Sequence, residues 1–398
     1  MNERREFIIS PDKKYWGKNK PVLFAGDWCL DPTEREKWDH LDYKILQSDV
    51  FKTKENLKQI SICEEIYEKL LKELSIQLNH INKVNWSVRS WRITIGPWLE
   101  RYVAIINNRL NLLKKAKENY TISFKNVKFE DTSLSSLDLL DFTDKANSHE
   151  WNEKLIRRLD QLFTHKNFSS DFLDKNPIRI SFLEKKDFIN LIFEKIKIFF
   201  NFFWRFLPFT NKNNFLLHRI YLGNFFLSFK LFLKLKNFPV KVFFNEERVF
   251  KSFDINIRDK LKINYDFDDI NEKIIRFLLK ETLPTLYLEG FKDMMHKVNN
   301  SHLPNNIQKI FTCNCWNDIV FKFWIAENIN NGAKLYYGQH GSGYGMLKEH
   351  NATKHELKIC DRFLTWGWGD KKISNNKITP CVSFPIIKEK IFQIKKKK

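Results

Sequence analysis

The last third of the chain carries a pattern that few folds accommodate. KIFTCN (309–314) is a short apolar run, WNDIVFKFWIAENINNG (316–332) an amphipathic helical stretch stopped by Asn331-Gly332, and AKLYYG (333–338) a second apolar run. HNATKHELKICD (350–361) is again helical, and RFLTWGWG (362–369) reads as strand and loop. Strand, helix, strand, helix, strand at this spacing predicts a parallel sheet with right-handed crossovers. The expected class is therefore α/β, a Rossmann-like parallel sheet with flanking helices.

Parallel sheets bind ligands at the carboxyl ends of their strands. At the end of AKLYYG stands QHGSGYG (339–345). Glycines 341, 343 and 345 let backbone N–H groups approach a ligand closely. A neutral imidazole is well suited to take a proton near pH 7, so His340 is the candidate general base, or else a donor to a phosphate or sugar hydroxyl. Gln339, Gly341, Ser342, Gly343 and Tyr344 are the substrate-binding candidates around it. Asn317 and Asp318 open the preceding helix at a strand end and are candidates for the same cleft. The loop is not a dinucleotide fingerprint, a P-loop or a nucleophile elbow, because the spacings differ.

Upstream, KPVLFAGDWCL (20–30) reads as a buried strand ending in a loop that offers Asp27 and Trp28. Residues 55–80 have helical spacing, and the segment 85–119 becomes helical after Pro97, which suits a first helical turn. TISFKNVKF (121–129) alternates like a strand. WNEKLIRRLDQLF (151–163) is helical, with Asn147 or Ser148 as its cap. In NYDFDDINEKIIRFLLK, Asp266 and Asp268 form a D-F-D. Such a pair can hold a divalent metal on a nucleotide sugar, but an N-cap with acidic first-turn residues explains it well and is the expected reading.

The middle of the chain differs. FINLIFEKIKIFFNFFWRFLPF (188–209) confines its polar residues to one narrow helical stripe, so it is either buried on most sides or lies in a membrane interface. The basic-aromatic FKLFLKLKNFPVKVFF (229–244) suits an anionic lipid surface. The expected organisation is 1–180 as the N-terminal α/β part of a Rossmann-like domain and 181–250 as an aromatic, basic, helical insertion. Residues 251–370 would form the remainder of that domain with the QHG loop, and 371–398 a basic tail.

The chain has 398 residues and is 43% hydrophobic, enough to bury a large core. A net charge of +20 favours acidic partners: nucleic acid, anionic lipid or phosphate-bearing substrates. No nucleic-acid-binding module is recognisable, so nucleic acid is not expected as a partner. The six cysteines show no disulfide framework, the start of the chain has no apolar signal region, and no run of about 20 apolar residues exists. A cytoplasmic protein is expected, with contact at the inner membrane face through 188–244 as the open alternative.

The segments WNDIVFKFWIAENINNGAKLYYGQHGSGYG, KHELKICDRFLTWGWG, SWRITIGPWLERYV (90–103) and LFAGDWCL (23–30) together resemble a family of transferases found with O-antigen and other surface-polysaccharide genes. Arg92, Trp98 and Glu356 match its motifs as cleft-lining or scaffold residues. More loosely, the strand-end QHG loop is similar to glycosyltransferase-B-type enzymes. That resemblance implies that His340 activates an acceptor hydroxyl and that a nucleotide-activated donor is the other substrate. It implies no cofactor and no obligatory divalent metal, and a glycan or lipid-linked acceptor. It also implies a second Rossmann-like domain beyond the TWGW segment, so a missing C-terminal domain or a partner chain supplying it is expected. The competing expectations are a non-catalytic remnant that binds a membrane surface or partner chain, and a sugar-nucleotide epimerase.

Overall fold

A computed structural model describes residues 2–17, 20–46, 53–129, 133–166, 168, 215–219, 230, 248–301, 303–304, 307–316, 318–347, 349–369 and 377–383. The chain forms two compact units: 1–84, 98–181 and 248–291 in the first, and 85–97, 182–247 and 292–398 in the second. Both are α/β units built on a parallel sheet.

The first unit has a four-stranded sheet of order β3-β2-β1-β4, from β1 (Arg4–Ile8), β2 (Val22–Phe24), β3 (Tyr43–Ile45) and β4 (Thr121–Ser123). Ile8, Leu23 and Phe24 are wholly buried, as expected of strands covered on both faces. The helices are α1 (Thr53–Asn82), α3 (Gly96–Asn119), α4 (Leu139–Asn147), α5 (His149–His165), the single turn α6 (Ile255–Arg258) and α7 (Ile270–Thr282), with α2 (Val88–Thr94) in the second unit. Steps of three and four place Leu99, Tyr102, Val103, Ile106, Leu110 and Leu113 of α3 on one buried stripe. Ser148 caps α5 by accepting from the Trp151 N–H.

The second unit has five strands in chain order: β5 (Phe215–His218), β6 (Lys309–Thr312), β7 (Lys334–Gly338), β8 (Arg362–Thr365) and β9 (Ile378–Pro380). Ile310 pairs with Leu335, and Tyr337 with Phe363. The helices of this part are α8 (Phe291–Asn299), α9 (Ile319–Asn330) and α10 (Asn351–Ile359). Residues 321–326 of α9 are all buried, so the helix is enclosed on every side rather than amphipathic. Part of its cover is α2, which arrives from far away in sequence. The Ser90 hydroxyl donates to the Ala326 carbonyl at 2.9 Å and the Trp86 indole to Glu327 at 2.6 Å. Arg89 pairs with Asp361 at 2.6 Å.

The chain carries two parallel sheets, and 85–97 belongs with the C-terminal part because its polar groups bond α9 and the end of α10. The segment 188–209 and most of 181–250 lie outside the described residues; the described strand Phe215–His218 is part of the second sheet. The strand expected over 121–129 is confined to Thr121–Ser123. Among the described residues no helix is long and apolar enough to cross a membrane.

Candidate active site

The carboxyl ends of β6, β7 and β8 meet at the 339–345 loop. Gln339 is almost completely buried, and both ends of its amide are hydrogen-bonded. Its amide nitrogen donates to the Gly341 carbonyl at 2.8 Å. Its amide oxygen accepts from the Trp366 backbone N–H at 2.9 Å and from the Trp368 indole at 2.8 Å. One side chain therefore ties the loop after β7 to the loop after β8. Gly345 has φ +73, and a Cβ there would lie 2.7 Å from the Trp368 ring, so the turn requires glycine.

This clamp presents His340 half-buried at the strand end. The Tyr344 hydroxyl is 3.0 Å from its Nδ1 and 3.4 Å from its Nε2. Burial, then the nearby His350, lower the His340 pKa, while a hydrogen bond to the Cys313 carbonyl opposes them. The ring is neutral at physiological pH, the form that accepts a proton. Tyr344 is itself buried, stacked on Phe363 at 5.7 Å and edge-on to His350 at 4.7 Å. Its hydroxyl donates to Glu356 Oε1 at 3.1 Å, which also accepts the Trp316 indole N–H at 2.9 Å. Glu356 projects from α10 and is 0% exposed. Burial pushes its pKa up to about 8, against the lowering effect of Trp316, Tyr344 and Tyr337. Hydrogen bonds thus join Glu356, Tyr344 and His340 in one chain.

A second cluster closes the ends of β5 and β6. His218 Nδ1 lies 3.0 Å from the Thr312 hydroxyl and its Nε2 lies 3.7 Å from Asp318 Oδ2. Asp318 occupies the N-cap position of α9, but its carboxylate pairs with Arg219 at 2.9 Å instead of capping the helix. Arg219 follows β5 with a left-handed φ of +45, a strained conformation for a side chain of this size. Burial, then Arg219, push the His218 pKa down to about 3. Sequence reasoning missed His218 and Arg219. Their signal is FLLHR, an apolar run ending in histidine like KLYYGQH, hidden by its Phe-rich surroundings.

The expected site residues do not all gather here. Gln339, His340, Gly341, Ser342, Gly343, Tyr344, Asp318 and Glu356 lie in the second unit, as does Arg92, whose charge bears on the buried His355 of α10. Asn317 lies outside the described residues. Asp27 and Trp28 form a 3-10 turn after β2 in the first unit, with Trp28 49% exposed. Trp98 is wholly buried in α3, stacked on Tyr102 at 5.0 Å and edge-on to Phe142 at 6.0 Å, a packing role.

Asp269 rather than the D-F-D pair caps α7, accepting from the Glu272 N–H at 2.9 Å. Asp266 is 98% exposed beside Lys273. Among the described residues no group of three or more His, Cys, Asp or Glu is arranged to hold a metal ion. Burial pushes the Cys315 thiol up to about 12, so it is no nucleophile at neutral pH.

A family model described as LIC12162 family transferase matches residues 5–398. The chain belongs to this family. The match spans residues of both units. No curated protein and no solved structure matches the chain.

Proposed function

We propose that this transferase moves a sugar, or a phosphate-linked group, from a nucleotide-activated donor to an acceptor hydroxyl in surface-polysaccharide biosynthesis. The observation that carries the reading is His340: a neutral imidazole on a glycine-rich loop at the carboxyl end of a parallel strand, hydrogen-bonded to a buried tyrosine. His340 takes the proton of the acceptor hydroxyl. The acceptor oxygen bonds to the anomeric carbon, or to phosphorus, as the bond to the departing nucleotide phosphate breaks and its electrons leave with that phosphate. We assign to Arg219, the positive group paired with Asp318 at the end of β5, the role of meeting negative charge on the departing group. The resemblance of the four motifs to transferases of surface-polysaccharide gene clusters supports the pathway. The proposal needs no divalent metal.

A thermal-shift titration against UDP, GDP, CDP, CMP and dTDP, with and without Mg²⁺, tests the reading. A ligand at about 1,000 times its Kd stabilises by roughly 4 kcal/mol, which a melt resolves easily. One nucleotide should shift the melt and so identify the donor class. No shift with any of them, from a protein that melts cooperatively, sinks the nucleotide-donor reading. With the donor known, His340→Ala should lower transfer by roughly 10²- to 10⁴-fold while nucleotide binding persists.

A further inference from the structure

We propose that Glu356 is the positioning residue of this site: through the Tyr344 hydroxyl, its charge state sets which ring nitrogen of His340 carries the proton. The inference rests on the reading of His340 as the base. It assigns a role to a wholly buried carboxyl that acts on His340 only through Tyr344.

The Tyr344 hydroxyl has one proton and stands between Glu356 and His340. Its oxygen is 3.1 Å from Glu356 Oε1 and 3.0 Å from His340 Nδ1. A hydroxyl donates once and accepts through its lone pairs. An ionised Glu356 is the stronger acceptor and draws the hydroxyl proton. The Tyr344 oxygen then accepts from His340 Nδ1–H, and Nε2 carries the lone pair. With Glu356 neutral, Tyr344 is released to donate to Nδ1. The proton then sits on Nε2. The neutral state holds one proton more than the ionised state: as solvent protonates Nε2, the Nδ1 proton passes to the Tyr344 oxygen and the Tyr344 proton to Glu356, with no movement of heavy atoms. Only the ionised state turns the Nε2 lone pair into the base.

The surroundings single out Glu356 as the group that decides between these states. It ionises near pH 8, whereas the groups around it keep their states there. Cys315 and Cys360 are held near 12, and Tyr337 well above its ordinary value. Trp316 contributes only a neutral N–H. Arg92 of α2, Lys322 of α9 and Lys358 of α10 face the neighbouring His355, which burial keeps neutral. On the loop side, His350 faces both His340 and Tyr344. Among the described residues Glu356 Oε2 is buried with no hydrogen-bond partner within bonding distance, although the Tyr337 hydroxyl also acts to lower the pKa of this carboxyl.

The test needs no substrate. The full chain is labelled with ¹⁵N-histidine, and His340 is assigned among the ten histidines by its loss in His340→Gln. Nitrogen shifts distinguish a protonated ring nitrogen from one with a lone pair. From pH 7 to pH 9 the protonated nitrogen of His340 should change from Nε2 to Nδ1, with the ratio moving about tenfold per pH unit. Glu356→Gln, a neutral near-isostere, should hold the Nε2–H form throughout. Tyr344→Phe should uncouple the ring from this transition, and serves if the glutamine variant fails to fold. A buried carboxyl with a structural role alone would not move the tautomer. An unchanged tautomer in the wild type, or the same exchange in either variant, overturns the inference. Failure of nucleotide binding instead, with the exchange present, would sink the donor reading and leave this coupling standing.

Discussion

At the scale of single residues, two buried polar side chains make distinct demands. Gln339 satisfies both ends of its amide inside the protein, so truncation orphans the Trp366 N–H and the Trp368 indole. Gln339→Ala should cost about 2 kcal/mol in chemical denaturation, because unpaired buried donors carry their full desolvation penalty. Glu356 has the opposite character. Its folded pKa of about 8 lies above the ordinary 4.5. Between these values the folded state keeps a proton that the unfolded state has lost. Stability therefore falls as pH rises through that window and is level above it. Glu356→Gln removes this fall, so its stability relative to wild type should improve by roughly a few kcal/mol between pH 5 and pH 9. Denaturation curves of both proteins at the two pH values check it. Equal pH slopes would mean that the carboxyl ionises normally.

At the scale of elements, the start of α7 separates two explanations of the same acidic run. Asp269 makes the cap and Asp266 stands in solvent. Asp269→Ala should destabilise by about 1 kcal/mol, and Asp266→Ala by almost nothing. Neither should alter a nucleotide-induced melting shift with Mg²⁺. If Asp266→Ala abolished a Mg²⁺-dependent shift, the D-F-D pair would regain its metal role. α9 shows how an element read correctly in type can be misread in setting. Its bounds follow from the apolar run and the Asn331-Gly332 stop, and it is a helix as expected. That it is buried all round depends on α2, about 230 residues earlier, and no local period reveals that. β5 is the converse: FLLH has a strand's composition, but its Phe-rich context suggests helix, and only pairing with β6 makes it sheet.

At the scale of the whole molecule, the second unit keeps two buried histidines neutral. His355 and His218 are both pushed down to about 3, chiefly by burial. The unfolded chain gains these protons below its ordinary 6.5, and the folded unit does not until about 3. Stability should thus fall as pH drops from 6.5 towards 3, by roughly several kcal/mol for the pair. Melting temperatures measured across that range should decline, and less steeply in His355→Gln. A flat profile would show that these histidines protonate freely in the folded state.

The sequence by itself determined the class of fold and the position of the histidine loop. Strand length, helix period, stop signals and glycine spacing are local properties, and β6–α9–β7–α10–β8 obeys them. Tertiary structure alone decided that there are two sheets, that 85–97 joins the second, and that His218 and Arg219 meet Asp318. It also turned Glu356 from a helix residue expected to line a cleft or serve as scaffold into the buried end of a hydrogen-bond chain to His340. Such pairings depend on burial and on contacts between residues far apart in sequence. A carboxyl's charge, like a helix's exposed face, is set by what covers it.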